Sequence, residues 1–132
     1  MALTSEDHLA LERLGLPWVV REDGGMTCVE ISNFRLPDGF TLPTATLLLR
    51  LNPAFPDVPP DMWWFDPPAL RRDGSAIPAT EHTEHHLDRS WQRWSRHLDP
   101  SQWQSGIDSM ESFLAIIRRE LVDSVSTVAA CA

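Results

Sequence analysis

The stretch NPAFPDVPPDMWWFDPP, residues 52–68, decides how this chain folds. Six of its seventeen residues are proline, and Trp63, Trp64 and Phe65 follow one another near its end. Proline fixes φ and removes a backbone donor, so the first part of the stretch is an extended crossing between two elements. An exposed linker does not normally contain three large aromatic side chains in a row, because such side chains bury a large apolar area when they pack. We therefore expect this stretch to pack against the body of the fold.

The segment before this crossing is predicted to be a buried strand. Residues 44–51, TATLLLRL, begin with β-branched residues and continue as a nearly unbroken apolar run, which is typical of a strand covered on both faces. Residues 26–31, MTCVEI, alternate instead, so that every second side chain faces the same way. One face then carries Thr27, Val29 and Ile31, and the other carries Met26, Cys28 and Glu30.

Short turn signals join these strands. Asp23-Gly24-Gly25 separates residues 18–21 from residues 26–31, and Leu36-Pro37-Asp38-Gly39 follows. Turns this short favour an antiparallel meander, because parallel strands need long crossovers. Residues 61–66 are the candidate fourth strand, in which Trp63 and Trp64 must face opposite sides. One of the two is then expected against the returning loop, near Trp91 or Trp94.

Helices are predicted at both ends of the chain. Residues 4–14 form the first, with Thr4 or Ser5 as its cap and Gly15 as its left-handed stop. Its inward residues would be Leu9, Ala10 and Leu14. The last helix begins near Ser105-Gly106-Ile107-Asp108, whose pattern is close to a capping box. Three-and-four spacing gives it a buried stripe of Ile107, Met110, Phe113, Leu114, Ile117 and Leu121.

The region between the fourth strand and the last helix is predicted to be mostly irregular. Residues 69–86 form a long loop of low apolar content, and a loop of that length in a compact domain is usually functional or disordered. Residues 87–98 are expected to be partly helical, since Trp91 and Trp94 would then share one face. The sequence thus predicts a single α+β domain over residues 1–125, with a frayed tail over residues 126–132.

Composition excludes several kinds of function. The net charge is −8 and all eleven cations are arginine, which argues against a nucleic-acid partner because that binding needs clustered cations. No apolar run is long enough to span a membrane, and the N-terminus does not resemble a signal peptide. We expect a soluble cytoplasmic protein. Its two cysteines, Cys28 and Cys131, show no metal-ligand spacing, and a disulfide between them is unsupported in that compartment.

The ordered set of motifs resembles the ubiquitin-conjugating enzyme superfamily, in particular its bacterial members. That family has a first helix, a four-strand meander, a segment of the type F-P-x-x-P-P, and an aromatic residue on the next strand. Here Phe55, Pro56, Pro59, Pro60 and Phe65 match it residue for residue. Trp94, Pro100 and Trp103 resemble the tryptophan and proline that precede the family's C-terminal helix. The resemblance spans about residues 4–122, and it implies an active-site-like loop with the last helix packed on the sheet.

The chain departs from the family at the expected active site. The His-Pro-Asn tripeptide is missing. Gly74 fits the family's glycine and Ile77 fits its apolar residue, but Pro78 stands where the nucleophilic cysteine is expected. Cys28 is too far away in chain order to replace it. Thioester chemistry, which needs a thiolate, is therefore in doubt.

Two hydroxyls flank the vacated position and are the candidate nucleophiles. Ser75 or Thr80 could take a carboxyl group as an oxyester, with His82, His85 or His86 as the base. The alternative is that both are ordinary polar loop residues. The cluster EHTEHH also invites a zinc hypothesis, but its spacing matches no helix-face metal motif, so we predict no metal and no cofactor.

Two functions remain open at this point. By resemblance, the chain would work with a ubiquitin-like protein and a ubiquitin-activating-like enzyme of an operon-encoded bacterial pathway. In the first hypothesis it transfers the modifier through Ser75 or Thr80 as an oxyester. In the second it is a catalytically inactive variant that only binds the modifier or the activating enzyme. An unrelated α+β binding domain is the remaining alternative.

Overall fold

A six-stranded antiparallel sheet and two helices make up the described part of the chain. The computed structural model describes residues 3–98 and 100–131, with the side chains of residues 3–98 and 101–125. The elements are α1 (Ser5–Arg13), β1 (Trp18–Asp23), β2 (Met26–Arg35), β3 (Thr44–Leu51), β4 (Met62–Asp66), β5 (Thr83–His86), β6 (Arg89–Ser95), a short 3-10 helix (Pro100–Gln102) and α2 (Met110–Cys131). The strand order is β1-β2-β3-β4-β6-β5, and every neighbouring pair is antiparallel.

The predicted α+β class and meander are confirmed, but the described residues contain six strands and not four. The expectation that residues 87–98 are partly helical is wrong. They contain β6, which pairs with β4 and forms a hairpin with β5. The physical reason is that residues 89–95 place one large apolar side chain on each face of the sheet. Trp91 faces one side of the sheet and Trp94 the other, and both are fully buried.

The β5–β6 hairpin also shortens the predicted loop. Its turn is formed by Leu87 and Asp88, which have φ angles of 54° and 63°. Two consecutive left-handed residues match the right-handed twist of a tight hairpin. Leucine seldom adopts this conformation, so the sequence showed no turn signal there. The loop between β4 and β5 is therefore limited to residues 67–82.

Trp63 and Trp64 face opposite sides of β4, as predicted. Trp63 stacks on Trp94 with ring centroids 6.2 Å apart, in the core between sheet and helices. Trp64 packs on the other side with Cys28, Leu48 and Trp91. We call this second group, Cys28, Leu48, Trp64 and Trp91, the back cluster. The sheet is thus apolar on both faces at β3, β4 and β6.

The proline-rich crossing is fixed by Trp103, in the segment before α2. The rings of Phe55 and Trp103 lie 5.9 Å apart, and the Trp103 indole donates a 2.8 Å hydrogen bond to the carbonyl of Pro56. Both aromatic side chains are buried. The crossing therefore packs against the body of the fold, as its aromatic residues predicted.

Helix α1 begins with a capping box between Thr4 and Asp7. The Asp7 backbone N–H donates to the Thr4 hydroxyl, and the Thr4 backbone N–H donates to the Asp7 carboxylate. That carboxylate is buried and also accepts from the backbone N–H of Met110, at 3.2 Å. One side chain therefore satisfies backbone donors at the starts of both helices, where such donors have no partner within the helix.

Two details of the helix predictions are wrong. Leu9 is 53% exposed, and Leu11 is buried in its place. Helix α2 begins at Met110 and not near Ser105, because Gly106 has a φ of 85°, which no α-helix accommodates. Ile107 therefore lies in a turn and is 74% exposed. The rest of the predicted stripe, from Met110 to Leu121, is buried.

The predictions about the C-terminal segment are not tested. The side chains of residues 126–132, including Cys131, lie outside the described residues. The domain boundary at residue 125 and the fraying of residues 126–132 stay predictions.

Candidate functional site

The loop between β4 and β5, residues 67–82, is called the site loop here, and it forms one wall of a groove of about 430 Å³. Gln92 on β6 fixes the start of the loop. Its buried amide accepts from the Ala69 backbone N–H at 2.8 Å and donates to the Ala69 carbonyl at 3.1 Å. The other residues lining the groove are Thr41, Leu70, Arg71, Arg72, Gly74, Ser75, Ala76, Ile77, Thr80 and Glu81.

Arg71 ties the site loop to the last helix. Its guanidinium donates to the Ser124 carbonyl of α2 at 2.8 Å and to the Ala76 carbonyl at 2.6 Å. Beside it, Gly39 lies so close to α2 that a Cβ on this residue would be 2.8 Å from the Cβ of Val125. Only glycine fits there, since its φ is also 112°. The site loop therefore keeps its shape only while this part of α2 stays in place.

Ser75 is the accessible hydroxyl of the site loop. Its Oγ donates a 2.6 Å hydrogen bond to Asp73 Oδ1, and its backbone N–H donates to the same oxygen at 2.8 Å. These two bonds lower the pKa of the Asp73 carboxyl below its usual value. The Arg71 guanidinium lies 3.4 Å from the Ser75 Oγ. A hydroxyl is therefore held between a carboxylate and a guanidinium at the edge of the groove.

Thr80 is a much poorer nucleophile than Ser75. It is buried, and its hydroxyl donates to the carbonyl of Ile77 at 2.9 Å. A threonine hydroxyl has one proton to donate. Attack by this oxygen would need that bond to break and the loop to open.

Neither of the two candidate nucleophiles, Ser75 and Thr80, donates a hydrogen bond to a predicted histidine base. His82 and His85 are exposed, and the nearest charged partner of His82 is Glu81, at 3.9 Å. The Ser75 proton goes to Asp73 and the Thr80 proton to Ile77, so neither hydroxyl donates to a histidine nitrogen. His86 lies on the other face of the sheet, where it contacts Glu84. The catalytic roles of these residues stay predictions.

Comparison with known proteins identifies the family of this chain. The sequence model described as Prokaryotic E2 family E matches residues 3–124, which include the sheet, the site loop and most of α2. The chain belongs to this family. Searches of the curated proteins and of the solved structures returned no match. Membership of a prokaryotic E2 family indicates a role in bacterial ubiquitin-like conjugation.

Pro78 stands where the resemblance to the superfamily leads us to expect the nucleophilic cysteine. It is exposed, it follows the buried Ile77 that lines the groove, and its carbonyl accepts from Arg96 at 2.9 Å. Cys28 is a free thiol, fully buried in the back cluster, and burial raises its pKa. A buried thiol with a raised pKa is a poor nucleophile. Cys28 therefore cannot substitute for a thiol at the site loop.

Glu84 is a polar centre that the sequence did not reveal. Its carboxylate accepts hydrogen bonds from Trp64 Nε1 at 2.9 Å, Arg93 at 2.8 Å and His86 at 3.1 Å. These contacts cover the back cluster and join β4, β5 and β6. Burial alone would raise the pKa of Glu84, but the three hydrogen bonds outweigh it and lower the pKa. The alternation from Thr83 to His86 places Glu84 and His86 on one face only once β5 is recognised as a strand.

We expect the substitution Glu84→Gln to destabilise the protein by about 1–3 kcal/mol, because it removes hydrogen bonds to a charged acceptor. Since the folded pKa lies below the unfolded value near 4.5, the stabilisation is present above pH 4.5 and is lost as the pH falls through the folded pKa. Urea unfolding between pH 7 and pH 3 measures both effects. The variant should lose less stability on acidification than the parent, and an equal acid dependence of the two would contradict this role.

Neither a metal site nor a membrane segment is found in the described part of the chain. Within residues 3–98 and 101–125, no three His, Cys, Asp or Glu side chains converge to hold a metal ion. Over the same described residues, no helix has the length and apolar character needed to cross a bilayer.

Proposed function

We propose that this prokaryotic E2 family member binds a ubiquitin-like protein whose C-terminus the activating enzyme still holds, and positions it at the site loop without forming a covalent bond itself. One observation carries this proposal. The place that the family resemblance assigns to the nucleophilic thiol is occupied by Pro78, and Cys28 is buried on the opposite face of the sheet. A protein with this site can bind and orient a modifier but lacks the thiolate for thioester exchange.

The groove has features that suit an extended peptide segment. Its walls are mostly apolar, through Leu70 and Ile77, and Arg72 and Ser75 supply polar groups. Leu70 is 51% exposed, so the groove offers an apolar side chain that a bound segment would cover. The C-terminal segment of a ubiquitin-like protein is the occupant we propose for this groove.

A second function is favoured by the contact between Ser75 and Asp73. An O–H···O distance of 2.6 Å is within the range for a hydroxyl and its general base. In that reaction Ser75 Oγ attacks the thioester carbonyl on the activating enzyme. The new C–O bond forms as the C–S bond breaks, the hydroxyl proton passes to Asp73, and the thiolate leaves. The lowered pKa of Asp73 makes it a weak base, which is why we place this function second.

One experiment separates the two functions. The protein is incubated with the ubiquitin-like protein and activating enzyme of its operon, ATP and Mg²⁺, and is then analysed by intact mass and by gel filtration. We expect a complex with the modifier or the activating enzyme in gel filtration and no covalent adduct in the mass spectrum. The substitution Ser75→Ala is the matched variant. It should again give no adduct of this protein, and the complex should persist because Leu70, Ile77 and Arg72 still line the groove.

Two outcomes would decide against the first proposal. An adduct that resists reducing agents, is cleaved by mild alkali and is absent in Ser75→Ala would establish the oxyester function in its place. If the parent protein forms neither an adduct nor a complex with either partner, both functions are wrong.

A further inference from the structure

A second pocket, of about 400 Å³, lies on the helix side of the molecule, away from the site loop. Three arginines from three different elements line it, Arg13 at the end of α1, Arg35 at the end of β2 and Arg118 in the middle of α2. The other residues lining this pocket are Leu14, Leu16, Asn33, Phe34 and Thr44, so no acidic side chain lines it. We call it the arginine pocket.

Within the described part of the chain, two of these arginines have no polar partner. Arg35 and Arg118 make no hydrogen bond or ion pair with the described residues, whereas six other arginines of the chain pair with a carboxylate. Arg13 has only a long contact of 3.9 Å to Glu111, and both side chains are mostly exposed. The chain has a net charge of −8, yet this pocket groups cations that are available to a ligand. Such a pocket attracts an anionic ligand.

The local structure holds part of this pocket in place. The Arg118 guanidinium lies over the ring of Phe34, 5.7 Å from its centroid, and Phe34 is buried. A cation held over an aromatic face has less freedom to lose when it binds a ligand. A break in the β2–β3 register between Ile31 and Phe34 leaves Asn33 exposed at the rim of the pocket. Arg118 is therefore partly prepared for a ligand in the free protein.

An apolar groove of about 190 Å³ continues from the arginine pocket. Arg35 and Arg118 line both cavities, and Pro37, Leu121 and Val122 complete the second one. Val122 is 46% exposed. A free phosphate would use only the cations, while a peptide with an acidic residue beside an apolar one would fill both cavities. The adjoining apolar groove therefore favours the peptide.

We propose that the arginine pocket and its apolar groove bind a segment of a protein partner in which acidic and large apolar residues alternate. The carboxylates of the segment pair with Arg35 and Arg118, and a neighbouring apolar side chain covers Val122. Arg–carboxylate pairs are often bidentate, so they fix the orientation of the segment as well as attract it. This surface lies outside the site loop, and its occupancy does not depend on the function proposed there.

The probe for this site is a fluorescein-labelled, C-terminally amidated peptide of the sequence Glu-Leu-Glu-Ile-Glu-Leu, with a matched peptide in which each Glu is Gln. Fluorescence anisotropy with the full-length protein measures the Kd. We expect saturable binding of the Glu peptide and more than about tenfold weaker binding of the Gln peptide, because each buried or close charge pair contributes to affinity. Arg35→Glu and Arg118→Glu should each weaken binding by more than about tenfold as well.

Matched control variants make the result specific to the pocket. Arg119→Glu makes the same charge change on the next residue of α2, which lines neither cavity, and it should retain the parent affinity within about threefold. Val122→Ala keeps all charges and should still weaken binding, because it reduces apolar contact. Far-UV circular dichroism verifies that each variant is folded.

Several outcomes would overturn the proposal. Absence of saturable binding, equal binding of the Gln peptide, or an equal loss in Arg119→Glu would each exclude a specific acidic site. Inorganic phosphate serves as the competing ligand. If it protects Arg35 and Arg118 from modification by phenylglyoxal while the Glu peptide does not, the pocket is a phosphate site and the peptide proposal is wrong.

Discussion

Replacing Pro78 by cysteine is expected to convert the protein from one that forms no thioester to one that does. Pro78 is exposed and follows Ile77, which lines the site groove, so a thiol there would be accessible. If the proposed function is correct, the activated C-terminus of the ubiquitin-like protein already reaches this place and lacks only a nucleophile. An ordinary cysteine is a few per cent thiolate at neutral pH, which is enough for slow attack.

The adduct of Pro78→Cys is measured by non-reducing electrophoresis and intact mass after incubation with the modifier, activating enzyme and ATP. A thioester is cleaved by reductant and by hydroxylamine, which distinguishes it from other bonds. Pro78→Ser is the matched control, since its hydroxyl is a weaker nucleophile. The fold should tolerate both changes, because removing an exposed proline costs only about 0.4–1 kcal/mol. If Pro78→Cys binds the modifier and still forms no thioester, the modifier is not positioned as we propose.

Replacing Trp94 by alanine is expected to have the largest effect on stability. Trp94 is fully buried, stacks on Trp63, and lies 5.8 Å from the ring centre of Phe65 and 6.4 Å from that of Phe40. Its indole N–H donates to Gln92, the residue that holds the start of the site loop. Large-to-small substitution of a buried tryptophan costs about 3–5 kcal/mol. That is a large part of the ~5–15 kcal/mol by which a domain of this kind is stable.

Urea unfolding, followed by far-UV circular dichroism, measures this effect. Trp94→Phe is the matched variant, because it retains an aromatic ring and should lose clearly less stability than Trp94→Ala. Val19→Ala, on the exposed edge strand β1, should change stability by less than about 0.5 kcal/mol. A loss below about 1 kcal/mol in Trp94→Ala would mean that this region is not the core of the fold.

Local signals in the sequence were enough to predict much of this fold. The cap at Thr4, the left-handed Gly15 and the Asp23-Gly24-Gly25 turn all depend on residues within a few positions of one another. The opposite facing of Trp63 and Trp64 follows from the period of a strand alone. These features do not depend on distant parts of the chain, which is why the sequence around each of them is enough to predict it.

The β5–β6 hairpin could not be predicted in the same way. Trp91 and Trp94 are three positions apart, a spacing that suits one face of a helix and also opposite faces of a strand. The ambiguity is resolved only by the two apolar surfaces of the sheet, to which residues far away in sequence, such as Cys28 and Leu48, contribute. The turn at Leu87 and Asp88 has no glycine or asparagine that would predict it, because it is held by the pairing of the strands that it joins.

The candidate site was located by resemblance, but its chemistry depends on contacts that no spacing reveals. Ser75 and Thr80 flank Pro78 in a similar way in the sequence, yet one is accessible and the other is buried with its proton donated to Ile77. The partner of Ser75 is Asp73, and the nearby histidines do not contact this hydroxyl although histidine is the commoner base. Glu84 gains its role only from Trp64 and Arg93, which β4 and β6 bring to it.

The hydrogen bond from Arg71 to the Ser124 carbonyl gives a practical rule for handling this protein. A shortened protein that ends before Ser124 would lose the carbonyl that Arg71 binds and would release the site loop from α2. Assays on such a protein would then measure a distorted groove and understate its binding. A shortened protein should therefore keep α2 at least through Val125, the residue that packs against Gly39.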